Sequence, residues 1–276
     1  MASKISKERT ISSVVLVIIA LATILPGGPI LAITLYLISN VAFLELTKAC
    51  GIRTGEKLNA LEITGLCAIA AYYLLIFFAE THTYFMITVI LLLMALMFVY
   101  VFSFPKYTAN QVMATYFSLI YAPVMLSFIF LTRQLEYGVY LVWMIFISSW
   151  ISDTCAYLVG VLVGKHKLVP QLSPKKTIEG SLGGILGSAV VGALFGFFLL
   201  DKKLGGHQFG IMLFVIGAIG SVISQIGDLA ASAIKRNHDI KDYGKLIPGH
   251  GGIMDRFDSV IFTAPMIYFL IIIFLK

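Results

Sequence analysis

The feature that most limits the fold of this chain is its succession of long apolar segments. Segments of about 20 apolar residues are long enough to cross a hydrocarbon layer ~30 Å thick as helices. Helices are favoured because backbone polar groups in lipid must be satisfied within the segment, and the alternating pattern of a membrane barrel is missing. With 59% hydrophobic residues, the sequence predicts an all-α polytopic membrane protein. About nine spans are predicted, at roughly 11–25, 29–47, 60–80, 84–104, 113–132, 138–163, 181–200, 209–234 and 256–275.

Lysine and arginine are distributed unevenly among the predicted loops. With the N-terminus in the cytoplasm, 16 of these residues fall on the inside and 4 on the outside. Because basic residues accumulate in cytoplasmic loops, this orientation is favoured. It places the polar segments 164–180 and 235–255 on the cytoplasmic side, where nucleotides are found. We therefore expect a multi-pass protein of the inner (cytoplasmic) membrane, with its active site at the cytoplasmic membrane boundary.

Charge is concentrated in the C-terminal half of the chain. Ten of the 34 charged residues lie between Asp228 and Asp258. We interpret residues 1–276 as a single membrane domain, in which 1–135 provides structural spans one to five. Residues 136–276 contain spans six to nine and nearly all side chains suited to catalysis.

The eighth span carries one polar stripe on an apolar helix. Ser221, Ser224, Asp228, Ser232 and Lys235 follow one another at intervals of three or four residues, which places them on one helical face. A carboxylate this deep in an apolar helix is costly unless it pairs or binds a cation. Asp228 is thus either a metal or substrate ligand or one partner of a structural ion pair.

A glycine-rich loop follows the eighth span and contains the sequence Pro248-Gly249-His250-Gly251-Gly252; we call it the glycine loop. Glycines such as Gly251 and Gly252 let a backbone approach a ligand and direct its amides at anionic oxygen. His250 is either a ligand contact or a structural histidine. Asp255 and Asp228, on consecutive spans, could together hold Mg²⁺, which accepts few protein oxygens. Asp258 could also be an ordinary helix cap. The basic residues that would neutralise phosphate are Lys235, Arg236, Lys241, Lys245 and Arg256.

The loop after the sixth span is the second basic segment. Lys175 and Lys176, flanked by Ser173 and Thr177, suit a polyphosphate, although a lysine pair at a membrane edge can also mark topology alone. Asp153 adds another intramembrane carboxylate nearby in sequence. In the seventh span, the pairs Gly183/Gly187 and Gly192/Gly196 predict close helix packing.

The segment from Ser232 to Asp258 closely resembles the motif of phosphatidate cytidylyltransferases, also called CDP-diacylglycerol synthases. It reads Ser232-x2-Lys235-Arg236-x4-Lys241-Asp242-x-Gly244-x3-Pro248-Gly249-His250-Gly251-Gly252-x2-Asp255-Arg256-x-Asp258. Three upstream segments also look like the family's pattern: Ser152-Asp153-Thr154, Ser173-Pro174-Lys175-Lys176-Thr177-x-Glu179-Gly180 and Gly227-Asp228-Leu229. The resemblance covers the C-terminal half of the chain.

The resemblance implies that CTP and phosphatidic acid give CDP-diacylglycerol and pyrophosphate. It also implies Mg²⁺ dependence, with a second cation left open, and a homodimer in the lipid bilayer; nucleic acid is not an expected partner. The residues then expected to be catalytic are Asp228, Asp255, Lys235, Arg236 and Arg256, with Asp228 and Asp255 as metal ligands. The expected substrate-binding residues are Ser173, Lys175, Lys176, Thr177, Lys241, Asp242, His250, Gly251, Gly252, Asp153, Asp258 and Ser232.

Two other functions use similar features. A CTP-dependent polyprenol or phytol kinase would transfer the γ-phosphate to an alcohol, and would need a base to activate the hydroxyl. An ion-coupled transporter would also carry intramembrane acids. The sequence disfavours transport, because it contains no paired repeat and its charge lies in one cytoplasmic cluster.

Overall fold

The computed structural model of the protein describes residues 2–53, 55–78, 83–202, 208–247 and 251–275. In these ranges the chain forms nine helices and one antiparallel pair of strands, which confirms the predicted all-α class. The helices are α1 (Ala2–Ile24), α2 (Gly28–Ala49), α3 (Ala60–Phe78), α4 (Thr83–Phe102), α5 (Ala109–Gln134), α6 (Gly138–Val163), α7 (Ile178–Asp201), α8 (Phe209–Asn237) and α9 (Met254–Leu275). The strands are β1 (Lys167–Val169) and β2 (Ser173–Thr177).

Seven of these helices are long and apolar enough to cross a membrane: α2, α3 and α5 to α9. Their positions agree with the corresponding predicted spans. Shorter apolar helical segments, Val14–Ile24 and Met86–Phe102, coincide with the first and fourth predicted spans. The polytopic architecture is therefore confirmed, while the count of nine spans stays a prediction.

The chain divides into two compact units, and the first comprises Met1–Phe130 and Ile240–Arg256. Buried hydrogen bonds link its helices: the hydroxyls of Ser39 and Tyr73 lie 2.7 Å apart, as do those of Tyr72 and Ser127. Segment 240–256, which the sequence analysis grouped with residues 136–276, belongs to this first unit. The division at residue 135 stays a prediction.

A fully buried carboxylate organises the junction between α2 and α3 in the first unit. Glu62 forms an ion pair with Arg53 at 2.8 Å and accepts a hydrogen bond from the Thr47 hydroxyl at 2.9 Å. Its other oxygen accepts the backbone N–H of Asn59. These partners compensate for the loss of water around the charge, which a buried carboxylate requires.

The second unit comprises Leu131–Asp239 and Phe257–Lys276. Its centre is α7, which packs against both α6 and α8. A Cβ atom at Gly183 would overlap Val159, and one at Gly187 would overlap Cys155. A Cβ at Gly192 would overlap the backbone carbonyl of Leu213. These contacts confirm the packing role predicted for the glycines of the seventh span.

Gly192→Ala tests this packing. The added methyl group meets backbone that cannot rotate away, so we expect a loss of about 1–3 kcal/mol in stability, as in other overpacked sites. The measurement is thermal unfolding in detergent by tryptophan fluorescence. Leu194→Ala, at a half-exposed position on the same helix, is the control and should change the melting temperature much less. Equal effects of the two substitutions would contradict the proposed close approach.

Candidate active site

The polar stripe predicted on the eighth span lies on α8, and its two ends have different surroundings. Ser221 and Ser224 are fully buried, and the Ser221 hydroxyl lies 2.6 Å from that of Ser152 on α6. Asp228 and Ser232 are half-buried. The stripe thus begins as a helix-packing contact and becomes more open towards the end of α8.

Asp228 forms an ion pair with Lys176 of β2. Both side chains are about a quarter exposed, at 26% and 25%. The ion pair that the sequence analysis weighed against a ligand role is therefore present. It also joins the second basic segment to α8, which links two of the predicted motifs.

A second acidic residue extends this cluster. Asp258 on α9 lies close enough to Asp228, Asp153 and Lys235 to interact electrostatically with them. Helix α9 can come so near α8 because residue 227 is glycine: a Cβ there would meet the Asp258 carbonyl oxygen at 3.0 Å. We call Asp153, Lys176, Asp228, Lys235 and Asp258 the acid–base cluster; all five belong to the second unit.

The basic loop after α6 is a hairpin. Strands β1 and β2 pair with Lys167 opposite Thr177 and Val169 opposite Ser173. The hairpin leads directly into α7, whose first turn is capped by the Thr177 hydroxyl accepting the Gly180 N–H at 3.1 Å.

The structure gives the neighbouring predicted residues unequal surroundings. Lys175 is exposed, whereas Lys176 and Ser173 are half-buried and Thr177 is buried. Ser232 is half-buried on α8, and the exposed Arg236 lies in its last turn. A basic side chain there also complements the negative end of the helix dipole.

The glycine loop and Asp255 belong to the first unit. One carboxylate oxygen of Asp255 accepts the N–H of Tyr243 at 2.8 Å and the N–H of Gly252 at 3.0 Å. Gly251 has φ +86°, in the left-handed region that favours glycine. Asp255 therefore connects the backbone at Tyr243 with the backbone at Gly252.

The other predicted residues of this loop lie around it. Lys241 and Asp242 are exposed, and Arg256 is half-buried in the first turn of α9. His250 lies outside the described residues. Asp228 and Asp255 belong to different units, so their pairing as metal ligands stays a prediction.

The sequence analysis missed one residue that contacts this loop. Glu45 on α2 accepts the N–H of Met254 at 2.9 Å. The signal in the sequence was that Glu45 is the only acidic residue in the predicted span 29–47 and lies near the C-terminal end of that span.

The donor chemistry of the acid–base cluster suits a divalent cation. Among the described residues, no group of three or more His, Cys, Asp or Glu side chains is arranged to hold a metal ion. Mg²⁺ commonly takes only one or two carboxylates and fills its remaining positions with water and phosphate oxygens. Asp228, with Asp153 and Asp258 nearby, provides oxygens of the required kind.

The fold and these charged residues define a polytopic membrane protein with an acid–base cluster on its helices. The family model described as "Cytidylyltransferase family" matches residues 7–274. The chain therefore belongs to the cytidylyltransferase family and is a nucleotidyltransferase of the membrane.

Curated relatives extend over the same length. A protein of Bacillus subtilis is 32% identical, covering 97% of this chain and 98% of its own. One of Staphylococcus aureus strain COL is 33% identical, and one of Staphylococcus saprophyticus is 31% identical; each covers 96% of this chain and 99% of its own. All three are named phosphatidate cytidylyltransferase. The predicted family is thus confirmed, and the similarity includes the first five predicted spans.

The unequal burial of the two lysines gives a prediction for stability. Lys176→Met removes the partner of a half-buried carboxylate and should lower the melting temperature, whereas Lys175→Met should not. Because the pair is partly exposed, we expect its coupling energy to be about 1 kcal/mol or less. A double-mutant cycle of Lys176→Met with Asp228→Asn measures this coupling. Additive effects would contradict a stabilising pair.

Proposed function

We propose that the protein transfers the cytidylyl group of CTP to phosphatidic acid, forming CDP-diacylglycerol and releasing pyrophosphate. The observation that carries the proposal is the acid–base cluster, in which Lys176 of β2 meets Asp228 of α8. Membership of the cytidylyltransferase family and the names of the full-length relatives support it.

The chemistry requires the neutralisation of charge more than it requires a base. A phosphate oxygen of phosphatidic acid attacks the α-phosphorus of CTP, and the bond from this phosphorus to the bridging oxygen of the β-phosphate breaks. The nucleophile is already largely ionised near neutral pH, because the second pKa of a phosphate ester is roughly 6. Lysine and arginine side chains are suited to bring two anions together, since they form charge-assisted hydrogen bonds to phosphate.

Each predicted residue has a role in this scheme. Ser173, Lys175, Lys176 and Thr177 would bind the nucleotide phosphates from the hairpin. Lys235, Arg236 and Arg256 would stabilise the charge of the transferring phosphoryl group. Further substrate contacts would come from Asp153, Ser232, Lys241, Asp242, His250, Gly251, Gly252 and Asp258.

Asp228 and Asp255 would hold Mg²⁺. When bound, the ion would offset negative charge on the α-phosphate and the leaving pyrophosphate. Asp255 already accepts two backbone N–H groups through one oxygen, so its loop fixes the orientation of the carboxylate. The number of cations follows from titration of the purified protein.

The direct test is an assay of detergent-purified protein with CTP, phosphatidic acid and Mg²⁺. Formation of CDP-diacylglycerol with equimolar pyrophosphate supports the proposal. Release of CDP with a phosphorylated alcohol would instead show a polyprenol or phytol kinase. Ion flux in proteoliposomes without nucleotide turnover would show a transporter.

Asp228→Asn tests the proposed metal ligand. Asparagine keeps the size and one oxygen but removes the charge, so we expect a folded protein that has lost nearly all Mg²⁺-dependent turnover. Asp239→Asn, at an exposed position just beyond α8, is the control and should retain activity. Because residues acting through one ion are not additive, Asp228→Asn combined with Asp255→Asn should be little worse than either alone. Near-normal turnover of folded Asp228→Asn would remove this residue from the metal site.

We also propose that the site faces the cytoplasm of a bacterial inner membrane, where the protein acts as a homodimer. The unequal distribution of basic residues supports the orientation, and the resemblance supports the dimer. Crosslinking in native membranes, followed by mass determination, tests the dimer; a monomeric mass at all crosslinker concentrations would contradict it.

Thiol labelling tests the orientation. In a background with Cys50, Cys67 and Cys155 replaced by serine, we introduce cysteine at the exposed positions Asn237 and Gln208. The cysteine at 237 should react with a membrane-impermeant reagent only when the cytoplasmic side is accessible. The cysteine at 208 should react in intact cells. The reverse pattern would overturn the proposed orientation.

A further inference from the structure

The start of α9 has a cap that comes from a distant part of the chain. The first N–H groups of a helix have no partner within the helix, and a negative charge is favourable there. Ile253, the residue before α9, has no side-chain acceptor. Glu45 supplies an acceptor instead: its carboxylate accepts the N–H of Met254 at 2.9 Å, and the N–H of Ile253 is near enough to interact with the same carboxylate. Glu45 and Met254 are 209 residues apart in sequence.

Two glycines make room for this carboxylate. A Cβ atom at Gly244 or at Gly252 would overlap the carboxylate of Glu45. At Gly252 the three nearest atoms to such a Cβ all belong to that carboxyl group. The absence of a side chain at these positions therefore has a reason besides substrate binding: it lets Glu45 reach the backbone.

Glu45 and Asp255 act on the same short stretch of backbone. One oxygen of Asp255 accepts the N–H groups of Tyr243 and Gly252, and Glu45 accepts that of Met254. The two carboxylates are close enough to repel each other. The backbone N–H groups offset this repulsion, so each carboxylate depends on the loop keeping its shape.

We propose that Glu45 is a positioning residue for the nucleotidyl-transfer site. It fixes the backbone at Gly252 and Met254, and through this backbone it orients Asp255 and Arg256. This inference rests on the proposed function, because it assigns Glu45 to the geometry of that site. Glu45 itself contacts neither substrate.

The first test measures the loop without catalysis. Glu45→Ala removes the acceptor for the N–H group of Met254, so hydrogen exchange in peptides covering 240–256 should become at least tenfold faster. Glu45→Gln retains the reach and one acceptor oxygen, and should give a smaller increase. If Glu45→Ala does not fold, Glu45→Gln and Gly244→Ala carry the test, since the latter displaces the carboxylate.

The matched control is Glu62→Gln. Glu62 is a buried carboxylate of the same unit that pairs with Arg53 and not with the loop. This substitution should lower the melting temperature, leaving exchange in 240–256 and the Mg²⁺ requirement unchanged. A purely structural Glu45 would behave in the same way, and that result would overturn the inference.

The second test separates positioning from general stability. Glu45 variants should need at least a fivefold higher Mg²⁺ concentration for half-maximal turnover, because Asp255 is no longer held in place. Gly244→Ala, at a position that is not among the proposed substrate contacts, should have the same effect by displacing the Glu45 carboxylate. The double variant Glu45→Ala, Gly244→Ala should be little worse than either single one. Additive losses, or an unchanged Mg²⁺ requirement, would overturn the inference.

The two proposals fail in different ways. If the wild-type protein forms no CDP-diacylglycerol, the proposed function is wrong, whereas the exchange experiment still reports on the contact with Glu45. If the wild-type protein is active and exchange in 240–256 is the same in Glu45→Ala, the positioning role is wrong and the proposed function stands.

Discussion

The arrangement of the charged residues depends on one constraint: a carboxylate taken out of water must receive hydrogen bonds or a positive charge. Glu62 receives the guanidinium of Arg53, and Asp228 receives the ammonium of Lys176. Asp255 receives backbone N–H groups instead. Each solution also fixes a local structure, namely a helix junction, a hairpin against a helix, and a closed loop. Each of these acidic residues therefore fixes the local structure of the segment in which it lies.

Periodicity was sufficient to predict the parts of the structure that depend on local sequence. The helical repeat places Asp228, Ser232 and Lys235 on one face of α8 wherever that helix lies. Apolar length predicts the membrane helices, and the spacing of Gly183 and Gly187 predicts close packing. In each case the information lies within one or two turns of a helix, so no knowledge of distant contacts is needed.

Contacts between distant segments could not be predicted in the same way. The basic loop was expected as a charged segment, but its hairpin depends on the pairing of Lys167 with Thr177, which no periodicity signals. The contact of Glu45 with Met254 spans 209 residues, and a lone acid in an apolar span has many conceivable partners. The grouping of 240–256 with the N-terminal helices was missed for the same reason.

The contact of Glu45 changes how the N-terminal helices relate to the site. Their shortage of catalytic residue types suggested a purely structural role for these helices. Yet the backbone at the start of α9 has N–H groups that no side chain of its own first turn accepts, and Asp255 is occupied with Tyr243 and Gly252. Without α2, the N–H group of Met254 would lose the carboxylate of Glu45 that accepts it. A fragment lacking residues 1–135 would therefore retain the residues of the glycine loop but lose a contact that fixes the backbone on which they stand.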